Sequence, residues 1–348
     1  MKAKRSEAVS RSVRWRQGLW ALAMASVLLL WGYLWWDPEA LPVLALLQYL
    51  PFPGYLVPVV ALALWMWPMG WVWRGLACLP VLIVLGPVMG LCLGSPDEGS
   101  VHLRFMTYNV KSFLLSGVPG GYQKLTMEVA QASPDIVVMQ DANYLLGMRN
   151  SHPELFQMMF EDRQIQAYGQ YVIASRYPLK DCHPGMMPFQ GKVHTFFTCE
   201  VTVQGQVVRV VTVHFQTPRD GLNATRFEGL KGLPAWEENM SQRLYQSAYL
   251  AEYIRQNKQP IILAGDLNAP EHSRVVQGLL AQGLRDAFSS SSIGWGYSYG
   301  HSLLKGLPFL RIDHILVSKE LGVEEVTVGG MEASQHRPLV ADLYLSRH

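Results

Sequence analysis

Charged residues are missing from long stretches of the first third of this chain, and cysteine is scarce throughout. Four cysteines in 348 residues are too few for a small domain built on disulfides. None has finger-like spacing with histidine, which argues against a structural zinc site. Cys78 and Cys92 lie in apolar surroundings, where cysteine behaves as a small packing residue. Cys182 and Cys199 would face each other across a two-residue turn at Gln190-Gly191, and an oxidising compartment would then permit a disulfide. Pro184 and Pro188 speak against a regular hairpin there, so both outcomes stay open. A charge excess of either sign is also lacking: residues 99–348 hold 22 Lys and Arg and 22 Asp and Glu. A protein that grips duplex nucleic acid without sequence preference usually has a basic surface, so this balance lowers the case for one, though a local basic patch is compatible with it. Internal repeats and low-complexity tracts are absent.

What the first 98 residues do have is Leu, Val, Ala, Trp and Met in density. Residues 18–36 contain no charge, and 19 residues at ~1.5 Å rise cover roughly the hydrocarbon thickness of a bilayer. A second apolar stretch lies within 41–68, with its span at about 45–68, interrupted by Pro51, Pro53 and Gly54; a third covers about 75–94. Three membrane-spanning helices are therefore expected. Lys2, Lys4, Arg5, Arg11, Arg14 and Arg16 precede the first run, which predicts a cytoplasmic N-terminus by the positive-inside rule. Three crossings would then place the rest of the chain periplasmic or extracellular, anchored in the inner (cytoplasmic) membrane. A cleaved signal peptide is the other reading of the first run. However, the Ala23-Met24-Ala25 cleavage-like site falls in mid-run, and two more apolar segments follow. Tryptophans such as Trp35, Trp36, Trp71 and Trp73 cluster near the span ends as an aromatic belt. The spans carry no Asp, Glu, Lys or His, which favours an anchor over a transport pathway. The expected organisation is an anchor over 1–98 and one globular domain over 99–348, joined by the polar stretch Ser95–Ser100.

The second part reads as an α/β domain. Short β-like runs occur at 101–109, 135–141, 171–176, 194–203, 206–214, 260–266, 312–317 and 338–344. Residues 121–132 and 241–257 show helical periodicity, and Gln204-Gly205 joins two strands as a hairpin. Strands mixed with helices suggest two packed sheets with helices outside. Residues 215–240 are polar, contain Gly and lack strong periodicity, so they read as a long loop, either a functional lid or a surface insertion.

Polar residues end several apolar strands. Asn109 closes 104–109, Asp141 closes 135–141, His214 closes 210–214, and Asp266 with Asn268 closes 261–268. Asp313 follows Arg311-Ile312, and His336 lies in Ser334-Gln335-His336-Arg337-Pro338. Each alone is most simply a turn or structural residue. Together they are types that bind hard cations or phosphate, and phosphate esters need a cation and aimed donors because their charge repels nucleophiles. Hard oxygen ligands suit Mg²⁺ or Mn²⁺. Trp295, Tyr297 and Tyr299 lie between two of these motifs and would either line an entrance or simply pack.

In this order the motifs resemble the endonuclease/exonuclease/phosphatase superfamily over about residues 102–345, most specifically at Gly265-Asp266-Leu267-Asn268 and Ser334-Gln335-His336-Arg337-Pro338. Tyr168-Gly169 and Ile173-Ala174-Ser175-Arg176-Tyr177-Pro178 resemble a structural strand of the same group. The resemblance implies a four-layer α/β/β/α sandwich (DNase I-like) and hydrolysis of phosphate esters, with Mg²⁺ (or Mn²⁺) held by Asn109 and Asp141. It implies that Asp266 orients or deprotonates the attacking water and that Asn268 holds that water or a phosphate oxygen. His336, oriented by Asp313, would stabilise developing negative charge, and His214 would contact the phosphate from the other side. The chain departs from the family pattern at Asp141, where Glu is usual, and at Gln335, where Asp is usual; both departures would weaken metal binding. The substrate would be a phosphate ester, possible carriers being a lipid headgroup or nucleic acid. The alternatives are an extracellular or periplasmic nuclease and an inactive or weak binding module of the same fold. No protein partner is predicted.

Overall fold

A computed structural model describes residues 2–99 and 102–345, with side chains from Ser12 onward except that of His102. The side chains of Lys2, Lys4, Arg5 and Arg11, and Val101 and Ser100 as a whole, fall outside the described residues. The chain divides into two compact units, Met1–Leu91 and Cys92–His348.

In the first unit two helices are long and apolar enough to cross a membrane, Ser12–Trp36 and Trp71–Val88. The middle span expected at 45–68 is a pair, Pro42–Tyr49 and Phe52–Met66, bent by 101°. The cause is local: Pro51 has no N–H to continue a helix, and Pro53 and Gly54 follow in a short 3₁₀ turn. The pair is either one broken span or a re-entrant loop. The third expected span also stops early, because Cys92–Leu93 pair antiparallel with Ile293–Gly294 in a short ladder. The polar stretch after it is not a free linker. Gly94 N–H donates to Ser292, Ser95 N–H to Ser290 and Asp97 N–H to Val323, and Asp97 pairs with Arg285.

The second unit holds twelve strands in two six-stranded sheets. In chain order they are β1 (His102–Asn109), β2 (Ile136–Gln140), β3 (Gln164–Tyr168), β4 (Tyr171–Ser175), β5 (Leu179–Phe189) and β6 (Lys192–Val203). Then come β7 (Gln206–His214), β8 (Ile261–Asp266), β9 (Leu284–Asp286), β10 (Asp313–Ser318), β11 (Leu321–Val328) and β12 (Leu339–Leu345). One sheet runs β11-β12-β1-β2-β4-β3 and the other β9-β10-β8-β7-β6-β5. Alternate residues of each sheet, such as Phe105, Val138, Ile173, Val210, Ile262 and Ile315, meet in one apolar core between them. The opposite faces are covered by helices. Leu125 and Val129 of Gly121–Ala132 pack on Val137 and Met139, while Leu250 and Ile254 of Leu233–Gln256 pack on Val211 and Leu263. The result is the expected four-layer α/β/β/α sandwich.

Two pairings position the site. β1 runs parallel to β2, and β7 parallel to β8, each joined by a helical crossover. Parallel neighbours end at the same edge, so Asn109 lies beside Gln140 and His214 beside Asp266. β10 begins antiparallel to the end of β8, pairing Asp313 with Asp266, and β12 begins opposite Thr107. Four strand ends and two strand starts therefore meet at one rim.

Two readings of the sequence are corrected here, and one left open is answered. Residues 215–240 are largely helical, with Arg219–Glu228, a 3₁₀ turn at Gly229–Gly232, and the start of Leu233–Gln256. Their periodicity is hidden because the buried face of the long helix carries Asn239, Gln242, Arg243 and Gln246 alongside Trp236 and Met240. Strands β3, β5, β9 and β11 were not expected from the pattern. β3 and β5 are sheet edges and mostly solvated, and β5 contains the two prolines that edges tolerate. The Gln190-Gly191 turn does form, with Phe189 opposite Lys192, and Cys182 is bonded to Cys199.

Candidate active site

The rim gathers all seven predicted site residues. Oδ2 of the buried Asp266 carboxylate is the hub. It accepts from Asn109 Nδ2 at 2.9 Å and lies 3.4 Å from His214 Nε2 and 3.6 Å from His336 Nε2. Its other oxygen accepts the Asn268 backbone N–H at 2.9 Å, and the Asn268 amide donates to the Phe215 carbonyl at 2.9 Å. Asn268 thus ties its own loop to the end of β7. Gly265 is required by close approach: it sits at φ +150°, and a Cβ there would lie 2.0 Å from the Val213 carbonyl oxygen.

On one side, Asp313 Oδ2 meets His336 Nδ1 at 2.9 Å and accepts from Ser298 Oγ at 2.6 Å. Asp313, Asp266 and His336 bring ligand atoms within 4.8 Å of one another, all buried. Oδ1 of Asp313 has no hydrogen-bond partner among the described residues. Burial by itself pulls the His336 imidazole toward neutrality, but the Asp313 and Asp266 carboxylates outweigh it and raise its pKa.

On the other side, Asp141 Oδ1 lies 3.6 Å from His214 Nδ1, and its Oδ2 accepts from Lys111 Nζ at 2.5 Å. His214 Nδ1 also meets Gln170 Oε1 at 2.7 Å. Burial lowers the His214 pKa and is not offset by Asp266 and Asp141. Burial would raise the Asp141 pKa, yet His214 and Lys111 together lower it. The two imidazoles are therefore pushed in opposite directions.

Several contributors went unseen in the sequence. Lys111 follows Asn109 by two positions, as Asn268 follows Asp266, and that repeated spacing was the available signal. Lys111, Asp141 and Asn268 all adopt left-handed backbone, at φ 46°, 52° and 50°, a conformation that costs energy for non-glycine residues and gathers at functional sites. Gln140 donates to Thr107 Oγ1 at 3.1 Å and to Thr212 Oγ1 at 2.9 Å, fastening the two sheets beneath the rim. Of the three aromatics, Tyr299 reaches the site, with its ring 4.8 Å from that of His336, while Tyr297 is buried beside Trp295.

The donor set fits a hard divalent cation. Three carboxylates and an amide oxygen converge on one rim, one carboxylate oxygen is unpartnered, and Lys111 and His336 are the cationic groups beside them.

The sequence profile described as the Endonuclease/Exonuclease/phosphatase family matches residues 106–336. No curated protein matches the chain in sequence. Among solved structures, an endonuclease/exonuclease/phosphatase from Beutenbergia cavernae DSM 12333 is similar at TM-score 0.51 and 18% identity, covering 71% of this chain and 72% of that one. A family protein from Leptotrichia buccalis C-1013-b is similar at TM-score 0.51 and 17% identity, over 70% of this chain and all of that one. D. rerio TDP2 complexed with single strand DNA product is similar at TM-score 0.51 and 16% identity, over 70% of this chain and 99% of that one. At these identities the likeness speaks for the fold, and the profile speaks for kinship. The chain belongs to the endonuclease/exonuclease/phosphatase family, whose members hydrolyse phosphate esters and typically depend on a divalent metal.

Proposed function

We propose that the chain is a membrane-anchored, divalent-metal-dependent phosphoesterase, with residues 1–98 as anchor and 99–348 as catalytic domain. One observation carries the reading: Asn109, Asp141, His214, Asp266, Asp313 and His336, spread over more than two hundred positions, converge within hydrogen-bonding or ion-pair distance on one rim. Asp266 orients the attacking water and takes its proton, as its buried carboxylate between two imidazoles suits a base. His336 is held by Asp313, which with Asp266 raises its pKa against burial, so that its charged form can donate to a phosphoryl oxygen as negative charge develops there. His214 faces the phosphate from the opposite side. Asn268 acts through its loop, fixing Asp266 against β7.

Asn109 and Asp141 would hold Mg²⁺ or Mn²⁺. Such an ion supplies charge neutralisation at the phosphate and lowers the cost of attack. Lys111 already engages the Asp141 carboxylate, so ammonium and metal would share one ligand. The Gln335 departure removes a further negative charge nearby.

The basic run before the first apolar helix supports a cytoplasmic N-terminus. Counting the bent pair as one span gives three crossings and an inner-membrane protein whose catalytic domain is periplasmic or extracellular. The Cys182–Cys199 disulfide supports an oxidising compartment. A nuclease is the second reading, favoured by the DNA product bound to D. rerio TDP2 on the same fold.

The test is the full chain in detergent with bis-nitrophenyl phosphate, single- and double-stranded DNA, sphingomyelin and phosphatidylinositol phosphates, each with Mg²⁺, Mn²⁺ or EDTA. Metal-dependent turnover that disappears in Asp266→Ala is expected. Equal, nonzero turnover in both forms would overturn the role given to Asp266.

A further inference from the structure

Two projections rise beside His336. One is the helical hairpin made by Arg219–Glu228, the turn Gly229–Gly232 and the start of Leu233–Gln256. The other is the segment 300–308, closed at its base by Phe309 N–H donating to Tyr299 O at 2.9 Å and Tyr299 N–H donating to Leu310 O at 2.9 Å. Their roots touch: Arg219 donates to the Tyr299 hydroxyl at 3.2 Å, and the Tyr299 ring lies against His336.

Both projections end in large apolar side chains that face solvent. Phe227 is 76% exposed and Leu230 78%, while Leu303 is 63% and Leu307 47%. Single exposed apolar residues are ordinary. Two pairs on segments whose roots meet beside His336 suit a partner. Each tip also carries base beside its apolar residues: Arg226, whose guanidinium lies 5.4 Å from the Phe227 ring centre, Lys231 and Lys305. Glu228 is the one acid within 226–231 and 301–307.

We propose that these two tips dock the catalytic rim on an anionic phospholipid surface, so that the ester hydrolysed is carried by a lipid; this rests on the phosphoesterase reading above. Apolar side chains flanked by Lys and Arg match such a surface, the former entering the acyl boundary and the latter meeting phosphate. A nucleic acid matches less well, since three of the four apolar groups are leucine, which has no ring face for base stacking. The apolar helices of the same chain would hold the rim near a bilayer at high effective concentration, so weak tips suffice.

The test uses the full chain in nanodiscs of phosphatidylglycerol and of phosphatidylcholine, read by amide hydrogen exchange at 219–231 and 301–307. Exchange at both segments is expected to be slower by roughly fivefold or more in phosphatidylglycerol. F227S/L230S and L303S/L307S, which change only exposed side chains, should each remove most of that difference. Equal exchange in the two discs, or a difference unchanged in both variants, overturns the proposal. So does protection produced by a single-stranded oligonucleotide added to phosphatidylcholine discs in place of phosphatidylglycerol. Exchange needs no turnover, so Asp266→Ala should be protected like the native chain. Protection without hydrolysis of any ester would sink the phosphoesterase reading, and with it the lipid-borne ester, while leaving the docking; hydrolysis of bis-nitrophenyl phosphate without protection would sink the docking alone.

Discussion

The two halves of the rim have the same parts and opposite electrostatics. Asp313 and His336 form a short pair at 2.9 Å, and Asp266 stands at the other ring nitrogen. An imidazole between two carboxylates donates from both nitrogens only when charged, and its pKa rises despite burial. Asp141 and His214 stand 3.6 Å apart, Lys111 shares the Asp141 carboxylate, and burial of the ring is the larger influence. There the imidazole titrates low. Burial, with Lys111 set against Asp141, outweighs the carboxylates there, so one rim holds an imidazole whose pKa is raised and another whose pKa is lowered. The arrangement follows the rule that groups pushed apart in pKa mark separate acid–base roles.

The hub is the harshest place to break this contrast. Asp266→Ala removes the group both imidazoles face, and with it the acceptor for Asn109 Nδ2. A loss of kcat/KM of about 10³-fold or more is expected, measured with bis-nitrophenyl phosphate at saturating Mg²⁺. EDTA should bring the native chain to the same floor. Activity within tenfold of native would show that the two halves do not work through Asp266.

The next step separates the halves. His336→Gln should cost about 10²- to 10³-fold in kcat, as expected for loss of a charged donor to the developing phosphoryl charge; His214→Gln should cost about tenfold. The pH profile carries the sign. His336 has a raised pKa, so its charged form persists above the ordinary imidazole value of about 6.5, and activity should fall as pH rises through the raised value. The same linkage applies to stability. The His336 contribution is fully present below about pH 6.5 and fades as pH rises through the folded pKa. A thermal midpoint series across that window should show the decline in the native chain and lose it in His336→Gln. If the basic limb of activity survives that substitution, the donor is elsewhere.

How far the sequence foretold this site depends on what each residue touches. Asn109, Asp141, His214, Asp266, Asp313 and His336 were legible because each sits at or near the end of an apolar strand, and such strands, buried almost throughout, read as continuous apolar runs. All eight strands expected are present, within two residues at each end. The strands missed in the two large sheets were β3 and β5, whose edges are wet, the three-residue β9, and β11. The last is the real oversight, since Leu321, Val323 and Val326 are buried on the core side in a nearly alternating pattern. The Leu233–Gln256 helix was half hidden because its buried face is polar. For Lys111 the repeated spacing was a faint signal only, because a lysine two residues past a strand is normally solvated. Only the left-handed turn at φ 46° carries its ammonium back to Asp141. The same blindness applies in the first unit, where composition set the apolar stretches but not the 101° bend between two of them.

Lys111→Met tests the division itself. Without the ammonium, Asp141 loses a charge that now competes with any cation for the same oxygens. Divalent-cation binding, measured by calorimetry on the full chain, should tighten by roughly tenfold. His214 should then feel an uncompensated carboxylate and titrate higher, visible in its ring proton shifts. Unchanged affinity would mean that Lys111 and the metal use different oxygens.

The mildest change is Asp141→Glu, which restores the residue usual in the family. The backbone strain stays, since both side chains would occupy φ near 52°. The carboxylate moves outward by about one C–C bond, near 1.5 Å. That carries it past the Lys111 ammonium, now at 2.5 Å, and toward open rim. Metal affinity should rise by less than about tenfold and kcat/KM change by no more than about threefold, because the ammonium can follow the longer arm. Combined with Lys111→Met the gain should be less than additive, since both act on one carboxylate. Full additivity would show that reach and charge competition are separate constraints, and that the metal side of the rim is set by two residues independently rather than by one ion pair.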